Sequence, residues 1–435
     1  MAPPDPAPRG APASSSTSSG GLVARSVVQP IQRFLETEAA GGVLLLLAAV
    51  VALVWANSPW SDAYEQLWEG HLPSRAGSVR LPPDLRHWIN DLGMALFFFV
   101  VGLEIKREAV EGELRDPRTA AFPIACALGG MVVPAALYAA MNAGGDGASG
   151  WGIPMATDIA FSLGVLAVLG SRAPTSLRLF LLTLAIVDDI GAIVVIALFY
   201  SDGLSLGWLA AAAGGLAAVV LLRHLRVQSL AAYGVLAGIV WLATFSSGVH
   251  ATIAGVALGL LTPARPFARR DGSTPTKSPL ERLETLLHPW SAYVVLPLFA
   301  LANAGVVLSS DAVDAAVAST VTGGVVLGLV VGKPIGILLA GYLAVKVGGA
   351  LRPDGIGWPG VAGAGALAGI GFTVSLFITD LAFEDALADE AKLGILAASL
   401  AAGTLGAAVL AFTGRPADLV DRSDRPRREP STRTE

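Results

Sequence analysis

Two adjacent carboxylates, Asp188 and Asp189, stand near the middle of the apolar run LFLLTLAIVDDIGAIVVIALFY. On a helix, neighbouring side chains are about 100° apart, so both can reach one cavity without pointing at each other. Burial and a nearby like charge favour the protonated form of a carboxylic acid, whereas a deprotonated pair offers the oxygen ligands that small hard cations prefer. The pair is therefore predicted to bind protons or a cation. Helix-packing carboxylates are the alternative, disfavoured because charges are costly in a bilayer.

Lys333, in VVGKPIGI, is the only lysine that we place within a membrane span. A charge at this depth needs a partner, and Asp188 is the expected one, with Asp158 second. The alternative is a lysine that extends its ammonium group to the membrane surface, but apolar residues on both sides favour the buried pair. The remaining ionisable residues of the predicted spans are Asp91, Asp158 and His250, with Glu104 and Glu108 near one end.

Two segments are predicted to be interrupted helices. WGIPMATDIAFSLGVLAVLG begins with a glycine and a proline, and proline removes a backbone donor and clashes with the preceding turn, so we expect a break within 153–158. In GVAGAGALAGIGFTVSLFI the break is expected between Gly369 and Gly371. Broken helices expose partial charges at their ends. Asp158 is placed to neutralise converging N-termini, and Lys333 converging C-termini.

The composition indicates a membrane protein, because 54% of the 435 residues are hydrophobic and only 14% are charged. Soluble domains have about 25% charged residues. With a net charge of −5 and scattered arginines, nucleic acid is excluded as a partner and the lipid bilayer is expected. Apolar runs long enough to span a bilayer are predicted at 39–57, 90–109, 119–142, 151–169, 178–200, 207–223, 230–246, 248–262, 289–308, 320–346, 358–379 and 392–414.

The loops between these twelve spans alternate in charge. Basic residues in short loops mark the cytoplasmic side, so both termini are predicted to be cytoplasmic, in a multi-pass protein of the bacterial plasma (inner) membrane. The opposite loops include 58–89 and the acidic 380–390. The basic loops lie at 106–118, 172–178, 223–226, 265–282 and 346–352.

Both ends of the chain are polar. Residues 1–30 and 415–435 are predicted to be disordered cytoplasmic tails around a membrane domain at 31–414, and the first tail lacks the apolar core of a signal peptide. The single Cys126 can form no intrachain disulfide, and no Cys/His cluster suggests a resident metal. No cofactor is expected.

Seven strings in one order between residues 30 and 414 resemble the NhaA family of bacterial sodium/proton antiporters. The resemblance implies an all-α membrane fold of about twelve helices, with inverted-topology repeats and two discontinuous helices that cross at the bilayer midplane. Matched interrupted segments in two halves of a chain point to a transporter binding site, a rule for which NhaA is itself an example. The strings are WINDLGMALFFFVVGLEIKRE, PMATDIAFSLGVLAVLG, LAIVDDIGAIVVIALFY, SGVHATIAG, LHPW with LPLFALANAG, GKPIGI and GIGFTVSLFI.

Carried over by motif, the resemblance implies roles for individual residues. Asp189 becomes the main cation and proton carboxylate, and Asp188 joins it or alternates with a salt bridge to Lys333. Thr157 and Asp158 lie at the helix crossing and join the two aspartates in the cation- and proton-binding set. His250 also falls in a family motif, but we interpret it as a packed, hydrogen-bonded histidine. The residues matched to the cytoplasmic funnel and its pH response are Glu104, Arg107, Glu108, Arg282, Glu284 and His288.

The chain departs from the family pattern in two places. Glu281 and Thr285 stand where some members have a basic residue and a histidine, which puts the pH set point in doubt. The 58–89 loop is long enough for the β-hairpin through which family members form homodimers, but its prolines make that hairpin uncertain.

The predicted function is export of Na⁺, and of Li⁺, in exchange for external H⁺ by alternating access, serving cytoplasmic pH and sodium homeostasis. This makes the chain a secondary active transporter and not an enzyme. One rival is an intramembrane aspartyl protease, which needs two carboxylates facing across one water; Asp158 with Asp188 is the pair to consider. The other rivals are a sodium-coupled symporter of organic anions and a cation channel.

Overall fold

The computed structural model describes residues 40–413 except 74, 77–78, 202, 226, 228, 266–276 and 354. The predictions for the two tails lie outside the described residues. Within them, the chain is helical apart from one short antiparallel hairpin, β1 (Arg75–Ala76) with β2 (Val79–Arg80), in which Arg75 pairs with Arg80. A hairpin is therefore present in the 58–89 loop.

Besides the hairpin, the described residues form fifteen α-helices and three 3-10 helices, two of which are the short Glu113–Arg115 and Gly170–Arg172. Three of the long helices contain a π-helical turn, at Ile89–Gly93, Ser291–Val295 and Gly328–Gly332. The helices are α1 Ala40–Ala56, α2 Ser61–Glu69, α3 Leu85–Val110, α4 Pro117–Asn142, the 3-10 helix Asp146–Met155, α5 Ile159–Leu169, α6 Thr175–Phe199, α7 Leu206–His224, α8 Leu230–Ser246, α9 Thr252–Leu261, α10 Pro279–Asn303, α11 Ser310–Ala318, α12 Thr320–Lys346, α13 Trp358–Ala368, α14 Phe372–Ala382 and α15 Asp385–Thr413.

Seven of the described helices are long and apolar enough to cross a membrane: α3, α4, α6, α7, α10, α12 and α15. Three bent pairs raise this number to as many as 10 if each pair is one span: α1 with α2 (116°), the 3-10 helix with α5 (43°), and α13 with α14 (44°). The shorter α8 and α9 are also apolar. The predicted class, an all-helical membrane protein, is confirmed, and twelve spans remain a prediction.

The structure corrects two predicted helix starts. The span placed at 289–308 begins at Pro279, because Ser278 and Glu281 form a capping box in which each side chain accepts the other's backbone N–H. The span placed at 392–414 begins at Asp385. Lys392 therefore lies inside a helix and is buried, so the prediction that Lys333 is the only lysine within a span was wrong.

The helices pack into two units. The central unit contains α4, α5, α6 and α12 to α15, with α4 lying along α12. The flanking unit contains α3 and α7 to α10, and it has a hydrophobic cluster of its own that includes Val240, Trp241 and Leu258. Ion-binding residues predicted from the sequence lie in the central unit, and the predicted funnel residues lie in the flanking unit.

Close contact between α3 and α9 depends on glycine. Gly255 and Gly259 form a GxxxG pair, the pattern that lets membrane helices approach closely. A Cβ atom on Gly259 would lie 2.6 Å from the carbonyl oxygen of Phe99 and 2.9 Å from the Cα of Gly102. The flanking unit can hold this arrangement only while these positions lack side chains.

We expect Gly259→Ala to destabilise the protein by about 1–3 kcal/mol, the usual cost of overpacking. Gly214→Ala on α7 is the matched control, because a Cβ atom there meets nothing within 4 Å. Thermal unfolding of the detergent-solubilised protein would show a lower Tm for the first variant only. Equal Tm values for the two would contradict the close packing of α3 and α9.

Candidate functional site

The two interrupted helices touch each other at their breaks. Between Met155 and Ile159 the chain is not helical, and the second break follows Ala368. The backbone N–H of Asp158 donates to the carbonyl of Ile370 at 2.6 Å, and the Thr157 Oγ1 lies 2.9 Å from the carbonyl oxygen of Ala368. Both breaks predicted from proline and glycine are present, and they support each other's unsatisfied backbone groups.

Asp158 caps two helices with one carboxylate. Its Oδ1 accepts from the backbone N–H of Phe161 at 2.9 Å, at the start of α5. Its Oδ2 accepts from the backbone N–H and the hydroxyl of Thr373 at 3.1 Å and 2.7 Å, at the start of α14. A negative charge at two helix N-termini is electrostatically favourable, and these contacts match the arrangement predicted for Asp158.

Lys333 lies directly after the π-helical turn of α12 and is fully buried. Its ammonium group donates to Asp188 Oδ2 at 2.6 Å and to the carbonyl of Met155, the last residue of the 3-10 helix. Asp188 Oδ2 also accepts from the Thr157 hydroxyl at 2.5 Å. The predicted pairing of Lys333 with Asp188 is present, and Lys333 also faces the carbonyl end of one broken helix.

Asp189 differs from its neighbour because it is not held by an ion pair. It is 2% exposed, and no donor among the described residues reaches its Oδ2. It lines a narrow cleft with a volume of about 30 Å³, whereas Asp188 and Lys333 are not part of the lining. Thr157, Asp158 and Thr373 line the same cleft. Asp189 is thus the carboxylate that an ion arriving through the cleft would meet.

The other end of the cleft is lined by Glu104 and His288. The Nε2 of His288 lies 3.7 Å from Glu104 Oε1. Beside them Arg107 forms an ion pair with Glu284 and lies 3.6 Å from Glu108. The structure therefore brings together five of the six residues predicted for the funnel. Arg282 is exposed on the same helix as Glu284 and lies outside this cluster.

His250 is packed, as interpreted from the sequence. Its ring lies edge-on to Phe377, with 5.3 Å between ring centroids, and its Nδ1 is 3.5 Å from the Thr252 hydroxyl. Thr373 was missed as a site residue, although its place two residues after Gly371, at the start of a helix, was a usable signal. The ion pair of Asp380 with Lys392 was missed, because Asp380 was assigned to the loop 380–390 and Lys392 to the first position of the next span.

A buried carboxylate without an ion pair, at the meeting point of two broken helices and reached through a cleft, defines an ion-translocating membrane protein. Residues 32–410 match the family described as Na⁺/H⁺ antiporter 1. The chain belongs to this family, the NhaA sodium/proton antiporters.

The relatives give the same result over most of the chain. The Na⁺/H⁺ antiporter NhaA 3 of Frankia alni is 48% identical over 414 residues, covering 89% of each chain. NhaA of Shewanella sp. strain ANA-3 is 48% identical, covering 86% of this chain and 96% of its own. NhaA of Rhizobium meliloti is 45% identical, covering 90% and 96%.

We expect Lys333→Met to destabilise the protein by about 3–5 kcal/mol, because it leaves the carboxylate of Asp188 buried without its partner. The double variant Lys333→Met with Asp188→Leu removes both charges and should recover most of the loss. Lys346→Met on the same helix is the control, since Lys346 is exposed. The Tm of each purified variant tests this; an unchanged Tm in Lys333→Met would contradict a buried ion pair.

Proposed function

We propose that this chain exports Na⁺ in exchange for external H⁺ at one shared site, centred on Asp189 with Asp188 beside it. The observation that carries the proposal is that Asp189 is buried, has no ion-pair partner among the described residues and lines the cleft. A buried carboxylate without a compensating charge is electrostatically unfavourable, and binding either a proton or a cation neutralises that charge. Competition for one group couples the two ions without a cofactor.

Hard cations prefer oxygen ligands, and the end of the cleft supplies them. Asp189 would provide its carboxylate, and Asp188 can add Oδ1, to which no described residue donates a hydrogen bond. Thr157, which lines the same cleft as Asp189, contributes a hydroxyl oxygen beside Asp188. Asp158 lines the cleft but is already hydrogen-bonded at both oxygens, so we propose that it fixes the helix ends. Li⁺, another small hard cation, would compete for the same oxygens.

The cycle proceeds by alternating access. Facing inward, cytoplasmic Na⁺ passes Glu104 and His288 and displaces the proton of Asp189. Facing outward, external protons displace Na⁺. If a second proton is carried by the Asp188–Lys333 pair, each cycle moves net charge and responds to the membrane potential, by about 2.3 kcal/mol per charge per 100 mV.

The orientation follows from the same proposal. Glu104 and His288 line one end of the cleft, near the basic loop 106–118. On this basis we propose that the structure corresponds to the inward-facing state of a protein with cytoplasmic termini in a bacterial inner membrane. The two broken helices would cross at mid-bilayer as parts of inverted repeats, within twelve spans.

The β1–β2 hairpin is the proposed homodimer contact on the outside. The physiological outcome is control of cytoplasmic sodium and pH.

The rival functions fit the site less well. An aspartyl protease needs two carboxylates that share a proton, but Asp188 is paired with Lys333 and Asp158 is held by Thr373. A symporter of organic anions needs a cationic group in the cleft, and Lys333 is buried outside it, in its ion pair.

We expect Asp189→Asn to abolish Na⁺-induced collapse of an imposed pH gradient in everted vesicles, because an amide binds neither a proton nor Na⁺ as a carboxylate does. Asp314→Asn is the matched control, since Asp314 is exposed on α11. Folding is checked by size-exclusion chromatography. Full exchange in the Asp189→Asn protein would leave a shared carboxylate site untenable.

A further inference from the structure

A second polar cluster lies at the end of the molecule opposite Glu104 and His288, and in it Asn303 and Lys392 are buried whereas Asn90 and Asp380 are partly buried. Lys392 of α15 forms an ion pair with Asp380 of α14, with Nζ and Oδ1 2.8 Å apart. The other oxygen of Asp380 accepts from Asn90 Nδ2 at 3.0 Å, and Asn90 exchanges hydrogen bonds with Asn303 at 3.2 and 2.7 Å. We call these four residues the outer cluster. They are not part of the cleft lining.

The outer cluster joins the two units. Asn90 and Asn303 belong to the flanking unit, on α3 and α10, whereas Asp380 and Lys392 belong to the central unit. The bond from Asn90 to Asp380 is therefore a contact between units. Asp380 is fixed by Lys392 within its own unit, so a charged acceptor is presented at a set position to the amide of the other unit.

An aromatic layer lies between the outer cluster and the ion site. Phe377 is fully buried, and its ring contacts Phe98 and Phe299, at 5.9 and 6.3 Å between centroids, as well as His250. These three partners all belong to the flanking unit or to the turn between α8 and α9. On α14, Thr373 at the ion site, Phe377 and Asp380 follow one another on successive turns. The route from Asp189 to the side of the molecule that carries the acidic loop 380–390 is thus closed first by the aromatic layer around Phe377 and then by the outer cluster.

We propose that the outer cluster is the latch that holds the outward route closed while the inner cleft is open, and that it must release in every transport cycle. The proposal rests on the alternating access put forward above. Packed apolar rings resist separation in either direction, but a single polar contact between units can open to water and re-form, since both groups find hydrogen bonds in water. The Asp380–Lys392 pair remains intact within one unit and keeps its charges compensated when the units part.

The first test prevents the two units from separating by a covalent cross-link at the outer cluster. In a Cys126→Ala background, which removes the single cysteine of the chain, Asn90→Cys and Asp380→Cys are joined by a short bis-methanethiosulfonate reagent. The matched control joins Thr322→Cys and Gly394→Cys within the central unit, where a Cβ atom on Gly394 would lie 3.3 Å from Thr322. Exchange is measured in proteoliposomes before reaction, after it and after reduction, and binding of radioactive Na⁺ is measured on the cross-linked protein in detergent.

We expect cross-linking of 90 to 380 to lower exchange at least about tenfold, with recovery on reduction, because the outward state is no longer populated. Na⁺ binding should persist, since the cleft stays open, and the control cross-link should leave exchange unchanged. Full exchange in the cross-linked 90–380 protein would overturn the latch and leave the proposed function standing. Absence of exchange in the folded unsubstituted protein would remove the proposed function, and the latch with it.

A second variant tests the latch without cross-linking. Asp380→Asn with Lys392→Gln removes both charges together, so no unpaired charge is left buried. A weaker latch shifts the population toward the outward state, so the Na⁺ concentration for half-maximal exchange from the cytoplasmic side should rise by about three- to tenfold, with the maximal rate nearly unchanged. A merely structural role would lower the amount of active protein without moving this concentration, and that result would overturn the proposal.

Discussion

The cost of placing charge in the bilayer interior governs this structure. Asp158, Asp188, Asp189 and Lys333 lie together in the central unit, each at most 2% exposed. Three of them are compensated: Lys333 and Asp188 by each other and Asp158 by two helix N-termini. Asp189 is the exception. The ends of two broken helices supply the dipoles and backbone groups that stabilise the other three charges, and for this reason we propose the remaining carboxylate as the ion-binding group.

The broken helices and the Lys333–Asp188 ion pair are structurally coupled. Thr157 links them, because its hydroxyl contacts both Asp188 and the backbone of the opposite broken helix. Lys333 does so from the other side through Met155. A change in the charge of Asp188 or Asp189 therefore acts directly on the contact between the two helices. Binding of an ion can in this way bias the position of the central unit against the flanking unit.

The features that could be predicted from the sequence are those that depend on a residue and its immediate neighbours along the chain. Asp188 and Asp189 were found because charges stand out in an apolar run, and the breaks near Asp158 and Ile370 were found because proline and paired glycines interrupt helices. The early start of α10 was missed, since the charged residues after Ser278 read as a loop. Asp380 and Lys392 were missed because their pairing brings together neighbouring helix ends that sequence alone did not place. Arg282 was assigned to the funnel by motif, and only the fold shows that it points away from the cluster.

Proton release on sodium binding tests the shared site most directly. Purified protein in weakly buffered detergent solution would be mixed with NaCl, with choline chloride as the control for ionic strength, and protons would be counted with a pH indicator dye. The account predicts that Na⁺ releases protons at pH values where the site is protonated, that Li⁺ does the same, and that Asp189→Asn releases none. Saturable Na⁺ binding without proton release at every pH would contradict competition for one site.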